Sequence, residues 1–260
     1  MIGMFDSGLG GLSVWRELAR QLPHESVIYL ADRAWCPYGP RSHGEIEARS
    51  TRIVEWLLAQ GATSIVIACN TATSAAAAKL RRHYPGLPII GMEPAIKPAA
   101  LASRSGHIAV LATRATLSGE KLQRLAAHYH EHVRITFLPG DGFVEQVEAG
   151  ELDSPQTRNT VKQALADLAD SDVDQIVLGC THYPFLAPLL ASAWPQAELI
   201  DPAGAVCRQI RRQLETHHLG SPLAQQASYR FVSTAEHTGM QDFIARVLDI
   251  ETEVEPLALA

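Results

Sequence analysis

Short apolar runs alternate with longer amphipathic stretches along most of the chain. The short runs are rich in β-branched residues, which is typical of buried strands; they lie at 1–5, 27–30, 65–68, 87–90, 107–111, 133–138, 176–178, 198–200 and 229–232. The longer stretches carry apolar residues at helical spacing; they span 13–21, 45–59, 72–84, 118–130, 143–150, 155–169, 186–194 and about 205–217, with a last helix through Phe243 and Val247. This alternation predicts an α/β protein with mostly parallel sheets flanked by helices.

One sequence motif occurs twice in similar form. Ile65–Thr73 reads IVIACNTAT and Ile176–Pro184 reads IVLGCTHYP, so that Cys180 follows Cys69 by 111 positions. Weaker correspondences accompany it, because 87–90 aligns with 197–200 and 4–7 with 110–113. We therefore predict two pseudo-symmetric domains, the first formed by residues 1–93 plus 206–260 and the second by residues 94–205, with the active site in the cleft between them.

Composition and charge narrow the possible partners. The chain has 260 residues, of which 47% are apolar and 19% charged, so it can bury a substantial core and is not expected to be disordered. The net charge is −6 and no basic cluster stands out, so we expect no nucleic-acid partner. We find neither an apolar run of membrane-spanning length nor a secretory signal, and we expect a cytoplasmic protein without a membrane partner.

The four cysteines are the candidate chemistry. Cys36, Cys69, Cys180 and Cys207 do not form a CxxC pair, so we expect reduced thiols and no metal site. Cys69 and Cys180 each follow a predicted strand, at the edge where parallel sheets bind ligands. Each is also predicted to open a helix, whose N-terminus lowers a thiol pKa.

Two matched thiols suit racemisation. A racemase needs an acid and a base on opposite faces of one carbon, each able to take either role, whereas a hydrolase would leave the second thiol without a function. A single cysteine at a strand end is more often apolar filler, and Cys36 and Cys207 keep that interpretation. From the residues alone, Asp6 could equally be a turn cap and His182 an ordinary packed histidine.

The turn after the first strand reads DSGLGG at 6–11. It does not match the GxGxxG dinucleotide fingerprint. We interpret it as a flexible turn whose backbone N–H groups can face a small anion.

Several motifs together resemble the glutamate racemase family. They are FDSGLGGLSV at 5–14, Asp32 with PYG at 37–39, VIACNTAT at 66–73, Glu93-Pro94, LATRATLSG at 111–119 and GCTHYPFL at 179–186. The resemblance implies a cofactor-independent isomerase that interconverts L- and D-glutamate for peptidoglycan synthesis, and hence for cell wall biogenesis and cell shape. It also makes a homodimer possible. Because the chain starts at its first strand, we expect it to lack the N-terminal extension that resembles an activator-binding region in some members.

The resemblance also implies roles for individual residues. Cys69 and Cys180 would be the two catalytic acid–base residues, assisted by Asp6 and His182 respectively. Glu148 matches an acidic residue near the second thiol, although Glu145 and Glu151 lie close by in the sequence. The implied substrate-binding residues are Asp6, Ser7, Pro37, Tyr38, Gly39, Asn70, Thr71, Thr113, Thr116, Thr181 and His182.

Two alternatives stay open at this point. The first is another racemase of the same superfamily, acting on aspartate or a hydantoin. Aspartate racemases typically carry Glu where this chain has His182, which favours glutamate. The second alternative is a non-catalytic protein that binds a small dicarboxylate.

Overall fold

Two parallel sheets organise the chain, of which the computed structural model describes residues 1–259. One unit comprises Met1–Met92 together with the described chain from Ala203 onward, and the other comprises Glu93–Pro202. The strands are β1 Ile2–Asp6, β2 Val27–Ala31, β3 Ser64–Ile67, β4 Ile89–Gly91, β5 His107–Ala112, β6 Arg134–Pro139, β7 Gln175–Leu178, β8 Glu198–Ile200, β9 Tyr229–Ser233 and β10 Val254–Pro256.

Helices connect the strands in both units. They are α1 Leu12–Gln21, α2 His43–Ala59, α3 Asn70–His83, α4 Ile96–Ala102, α5 Arg114–Leu117, α6 Glu120–Tyr129, α7 Phe143–Glu148, α8 Pro155–Ala164, α9 Ala187–Ala193, α10 Ala203–Thr216 and α11 Thr238–Leu248. Short 3₁₀ turns lie at Arg33–Trp35, Ala166–Leu168 and Tyr183–Leu186. The predicted fold class, parallel sheets flanked by helices, is confirmed.

The central strands are buried on both faces. Every residue of β1, β2 and β3 is buried, as is every residue of β5 and β7. Helices cover both sides of a parallel sheet, so its strands need apolar side chains at successive positions rather than at alternate ones. This explains why the sequence shows continuous apolar runs.

The internal repeat is a repeat of topology. The first sheet has the order β10-β9-β2-β1-β3-β4 and the second the order β6-β5-β7-β8, so the same four-strand arrangement occurs in both. Phe5 pairs with Ile67, and Leu111 pairs with Leu178 in the same way. Beyond these pairs the Ala68 N–H donates to the Phe5 carbonyl at 2.8 Å, and the Gly179 N–H donates to the Leu111 carbonyl at 2.8 Å. The alignment of 4–7 with 110–113 is therefore confirmed.

The tail extends the first sheet only. Strand β9 pairs with β2 and β10 pairs with β9, while α10 packs against α1. Cys207 of α10 is fully buried and its Sγ lies 3.9 Å from the Val14 carbonyl oxygen, as expected of a packed thiol. Within residues 1–259, no helix has the length and apolar character needed to cross a membrane.

Several element predictions need correction. Helix α4, Ile96–Ala102, is absent from the predicted elements; its Pro98 lies in the first turn, where a proline is tolerated. Strand β10 was also missed; it is an edge strand, the position at which Pro256 does not interrupt a ladder. The helix predicted over 118–130 starts at Glu120 behind the separate helix α5, and the helix predicted over 155–169 ends at Ala164.

Candidate active site

The first candidate thiol caps a helix. Cys69 is the N-cap residue of α3, and its sulfur accepts a hydrogen bond from the Ala72 N–H at 3.4 Å. It lies just beyond β3, is 6% exposed, and its Sγ–H points to Ser7 Oγ at 3.8 Å. A helix N-terminus favours the thiolate form, and the Ser7 hydroxyl is placed to accept the thiol proton. The geometry at Cys69 is therefore the one that the sequence predicted.

Asp6 closes the glycine turn next to this thiol. Its Oδ2 accepts the Gly11 N–H at 2.6 Å, and its Oδ1 lies 3.5 Å from Ser7 Oγ. The anion held by the turn is therefore the side chain of Asp6 itself. A Cβ at Gly11 would lie 2.8 Å from the Asp6 Cβ, so only glycine permits this approach.

Two further predicted residues follow Cys69 directly. Asn70 and Thr71 form the first turn of α3 and are 6% and 8% exposed. Their side chains thus lie at the carboxyl end of the sheet with Cys69, where N–H and hydroxyl donors can meet a carboxylate.

The second candidate thiol has a different setting. Cys180 was predicted to open a helix, but the chain after it forms a turn and then the 3₁₀ segment Tyr183–Leu186, with α9 beginning only at Ala187. Pro184 and the tight turn keep the first residues out of an α-helix. The helix-dipole argument therefore applies to Cys69 and not to Cys180.

At Cys180 a histidine side chain, and not a helix N-terminus, lies next to the thiol. His182 Nδ1 lies 3.7 Å from the Cys180 sulfur, and His182 Nε2 lies 2.7 Å from Glu148 Oε1. Glu148 is the last residue of α7 and is half-buried, whereas Glu145 and Glu151 are exposed. Of the three neighbouring glutamates, the structure pairs Glu148 with the histidine.

The two thiols thus each lie beside a relay that ends in a carboxylate. The Cys69 sulfur contacts the Ser7 hydroxyl, which in turn contacts the Asp6 carboxylate. The Cys180 sulfur contacts the His182 imidazole, which in turn contacts the Glu148 carboxylate. A carboxylate behind a histidine fixes its tautomer and stabilises the imidazolium form. Both arrangements can support proton transfer at sulfur.

Tyr183 holds the turn that carries Cys180. Its side chain is fully buried, and its hydroxyl donates to the Gly140 carbonyl at 3.2 Å. Burial, followed by the negative charge available at Cys180, Asp141 and Glu145, raises the pKa of Tyr183 well above its usual value. Tyr183 is therefore a neutral hydrogen-bond donor that fixes the turn.

Hydroxyl groups also lie near the strand ends of the second unit. Thr113 is the N-cap of α5; its Oγ1 accepts from the Thr116 N–H at 3.2 Å and donates to Thr116 Oγ1 at 3.0 Å. By strand register Thr113 is the counterpart of Ser7. Thr181 is 3% exposed beside Cys180.

The loop with Pro37, Tyr38 and Gly39 is less open than its composition predicts. Tyr38 is 1% exposed and its hydroxyl donates to Asp32 Oδ2 at 2.6 Å, while Pro37 and Gly39 are half-buried. Burial and the charge of Asp32 raise the pKa of Tyr38 far above its ordinary value. The Tyr38 hydroxyl thus points into the protein and binds Asp32, so it is not available to a ligand. The loop can offer a ligand the peptide groups of Tyr38 and Gly39.

Sequence reasoning missed two partners of this loop. Arg49 makes a bidentate ion pair with Asp32, and the Thr234 hydroxyl donates a hydrogen bond to the same carboxylate. Arg49 lies between Ile46 and Ile53 on the buried face of α2, so a charge on an apolar helix face was a signal available in the sequence. No comparable pattern in the sequence points to Thr234 as a partner of Asp32.

The sequence and the fold are similar to those of known racemases. The profile of the Asp/Glu/hydantoin racemase family matches residues 2–210. A glutamate racemase of Ectopseudomonas mendocina is 47% identical over 254 residues, which is 97% of this chain and 96% of that protein.

Solved structures agree over the whole chain. Escherichia coli glutamate racemase in complex with L-glutamate and an activator, UDP-MurNAc-Ala, has a TM-score of 0.87 at 32% identity, covering 100% of this chain and 98% of that one. Francisella tularensis glutamate racemase in complex with D-glutamate has a TM-score of 0.85 at 27% identity, covering 99% and 97%. The chain therefore belongs to the Asp/Glu/hydantoin racemase family and is an isomerase of the glutamate racemase group within it.

Proposed function

We propose that this protein interconverts L- and D-glutamate by a two-thiol acid–base mechanism. The observation that carries the proposal is the pair of equivalent thiols at the ends of β3 and β7, each beside its own carboxylate-terminated relay. Glutamate racemases with 47% identity over nearly the whole chain support the substrate.

The proposed reaction exchanges one C–H bond for another. In one direction the thiolate of one cysteine takes the α-proton, and the thiol of the other gives its proton to the opposite face of the carbanion. The substrate leaves inverted, and the two cysteines have exchanged protonation states. Because reactant and product are mirror images, the reverse reaction uses the same groups with their roles exchanged.

Asp6 and His182 would serve the two thiols as positioning and proton-relay groups. The Ser7 hydroxyl lies between Asp6 and Cys69, and His182 lies between Cys180 and Glu148. These groups would let the thiols regain their starting protonation states between turnovers.

The remaining predicted residues would bind the two carboxylates. Hydroxyl and amide donors of Ser7, Asn70, Thr71, Thr113, Thr116 and Thr181 would supply hydrogen bonds without a dedicated arginine. The backbone N–H groups of Tyr38 and Gly39 would add to them, while Pro37, which has no N–H, would shape the loop. Donors aimed at the α-carboxylate would stabilise the charge that develops as the α-proton leaves. We propose that no cofactor or metal takes part.

The biological role follows from the product. D-Glutamate is a peptidoglycan component, so we propose that the enzyme serves cell wall biogenesis and thereby cell shape. A thiol mechanism needs reduced cysteines, which fits a cytoplasmic location, and none of the four cysteines forms a disulfide in the structure.

Circular dichroism at a fixed wavelength tests the activity. Purified protein without added cofactor should bring L-glutamate and D-glutamate to the same optically inactive mixture. L-Aspartate should stay optically unchanged under the same conditions. If glutamate keeps its optical signal while aspartate loses it, the aspartate alternative is the correct one. If neither signal changes, a non-catalytic dicarboxylate-binding protein becomes the better description.

Single cysteine variants test the mechanism. Cys69→Ser and Cys180→Ser should each lower racemisation by at least about 10³-fold, because each removes one of the two proton carriers. With a glutamate that carries a leaving group on its β-carbon, each variant should still eliminate from one enantiomer, and the two variants should choose opposite enantiomers. Cys207→Ser, on a thiol packed in α10, is the matched control and should stay active. Full activity of either catalytic-site variant in both directions would refute the two-thiol mechanism.

A further inference from the structure

A buried carboxylate joins three distant segments of the first unit. Asp32 is fully buried directly after β2, and its two oxygens accept four hydrogen bonds. Arg49 of α2 donates from Nε at 2.9 Å and from Nη2 at 2.7 Å, and Tyr38 donates at 2.6 Å. The fourth donor is Thr234 Oγ1 at 2.9 Å, which comes from the tail.

Thr234 links the tail to the loop in two ways. Its Oγ1 also accepts the Ala34 N–H at 3.1 Å, while its own N–H donates to the Ala31 carbonyl at 3.1 Å. The hydroxyl is thus both an acceptor from the backbone of the loop and a donor to Asp32. A single tail side chain connects β9 with the segment that leads to Tyr38.

Arg49 completes the connection from the other side. Its Nη1 donates to the Leu259 carbonyl at 2.8 Å, and its guanidinium lies 5.0 Å from the centre of the Trp35 ring. Arg49 is 3% exposed. A buried ion pair of this kind is stable only when its remaining donors and acceptors are satisfied, so losing one partner disturbs the whole group.

The loop that these contacts hold in place borders open space at Gly39. The Arg41 N–H donates to the Tyr38 carbonyl at 3.1 Å, and Arg41 Nε donates to the Trp35 carbonyl at 2.8 Å, so the loop is fixed at both ends. A Cβ built on Gly39 meets no heavy atom within 4 Å in the described chain beyond Gly39 and its two chain neighbours. The peptide at Gly39 therefore borders free space while its neighbour Tyr38 is anchored by Asp32.

We propose that Thr234 and Arg49 are positioning residues for substrate binding, which act through Asp32 on the Tyr38–Gly39 peptide. This inference rests on the proposed function, in which that peptide contacts a substrate carboxylate. A peptide donor held in place binds the carboxylate without a further ordering cost, whereas a mobile one must be ordered at each binding event. The tail, which the second unit lacks, thereby acquires a role in recognition.

The matched pair Thr234→Val and Thr234→Ser tests the proposal. Valine keeps the shape but removes the hydroxyl, so KM for glutamate should rise roughly tenfold while kcat stays within about twofold of the wild type. Serine restores the hydroxyl and should bring KM back. Thr252→Val is the control and should change neither constant, because Thr252 is a half-buried tail threonine whose hydroxyl donates to the adjacent Glu253 carbonyl at 3.3 Å.

A purely structural role gives a different result. If Thr234 only maintained the fold, valine would lower the fraction of active enzyme, and hence apparent kcat, without changing KM. Unchanged KM in Thr234→Val would therefore overturn the proposal. If that variant does not fold, Arg49→Lys replaces it. Lysine keeps the charge but cannot make the bidentate contact with Asp32, so the same rise in KM is expected.

Hydrogen exchange provides a readout that does not depend on turnover. Thr234→Val should speed amide exchange at residues 33–41, and Thr252→Val should not. Faster exchange with an unchanged KM would mean that the loop does not bind substrate, which overturns this inference and leaves the racemase activity intact. Wild-type protein that fails to racemise glutamate would instead refute the proposed function, whatever the exchange data show.

Discussion

At the scale of single residues, the two thiols are equivalent in the fold but not in their surroundings. Cys69 has a helix N-terminus and the Ser7 hydroxyl, whereas Cys180 has the His182 imidazole with Glu148 behind it. The helix dipole favours a thiolate at Cys69, whereas Cys180 has an imidazole next to it that can exchange a proton with the sulfur. A racemase does not need identical half-sites; it needs two groups that can each hold or release a proton.

His182→Asn should lower kcat/KM for both enantiomers by about 10²-fold, because asparagine cannot carry the proton that an imidazole exchanges with Cys180. The loss must be equal in both directions, since the equilibrium constant between mirror images is one. Initial rates from L- and D-glutamate measure it. His128→Asn, on the exposed face of α6, is the control and should retain full activity. Equal activity of the two variants would mean that His182 is only a packed histidine.

At the scale of elements, the site depends on how closely neighbouring strand ends approach. Gly179 ends the segment after β7, and a Cβ there would lie 2.8 Å from the Ala112 Cβ and 3.1 Å from the Leu111 carbonyl oxygen. The equivalent residue in the first unit is Ala68, which fits because Gly11 beside it has no side chain; a Cβ on Gly11 would lie 3.0 Å from that of Ala68. Each unit therefore has one residue without a Cβ at this crossing.

Gly179→Ala should destabilise the protein by about 1–3 kcal/mol, because the new methyl group meets the backbone of β5 and must displace it. Activity should fall as well, since Cys180 is the next residue. Denaturant unfolding and initial rates measure the two effects. Gly44→Ala is the control: it lies in the first turn of α2 with open space around it, and alanine there should leave stability unchanged or raise it by about 0.5 kcal/mol. A neutral Gly179→Ala would show that the strand ends separate easily.

At the scale of the whole molecule, one carboxylate contributes to stability by joining two segments that are distant in the sequence. Asp174 accepts hydrogen bonds from Ser103 Oγ at 2.7 Å and from the N–H groups of Arg104 and Ser105 at 2.6 and 2.9 Å. Burial acts to raise the pKa of Asp174, but these hydrogen bonds outweigh it and leave the pKa below its ordinary value of 3.8. The bonds tie the turn before β5 to the start of β7.

Asp174→Asn should reduce the free energy of unfolding near pH 7 by roughly 1–2 kcal/mol, since the amide accepts fewer of these hydrogen bonds. Because the folded pKa is depressed, the stabilisation is present above pH 3.8 and is lost as the pH falls through the lower folded value. The difference between the wild type and the variant should therefore shrink below about pH 4. Urea unfolding from pH 7 to pH 3 measures it, with the exposed Asp170→Asn as control. A difference that stays constant with pH would contradict the assignment.

Local sequence pattern was sufficient to predict most of the elements, the repeat and the positions of the two thiols at strand ends. Buried strands of a parallel sheet are continuous apolar runs, and the residue that follows such a run falls at the ligand-binding edge, so Cys69 and Cys180 could be placed without coordinates. The resemblance of the motifs to glutamate racemases gave the family, and the similarity over the full chain confirms it. The residue-by-residue roles remain predictions that the proposed variants test.

Long-range contacts decided the rest. Glu148, and not Glu145 or Glu151, meets His182 because of the way α7 ends, and the 3₁₀ turn after Cys180 depends on the packing of Tyr183 against Gly140. Asp32 and Thr234 are 202 positions apart, and only the pairing of β9 with β2 brings them together. The sequence by itself determined the family and the candidate residues for the chemistry, since that information lies in short motifs. Tertiary structure decided which side chains hold them in place, because hydrogen-bond partners distant in the chain leave no local pattern.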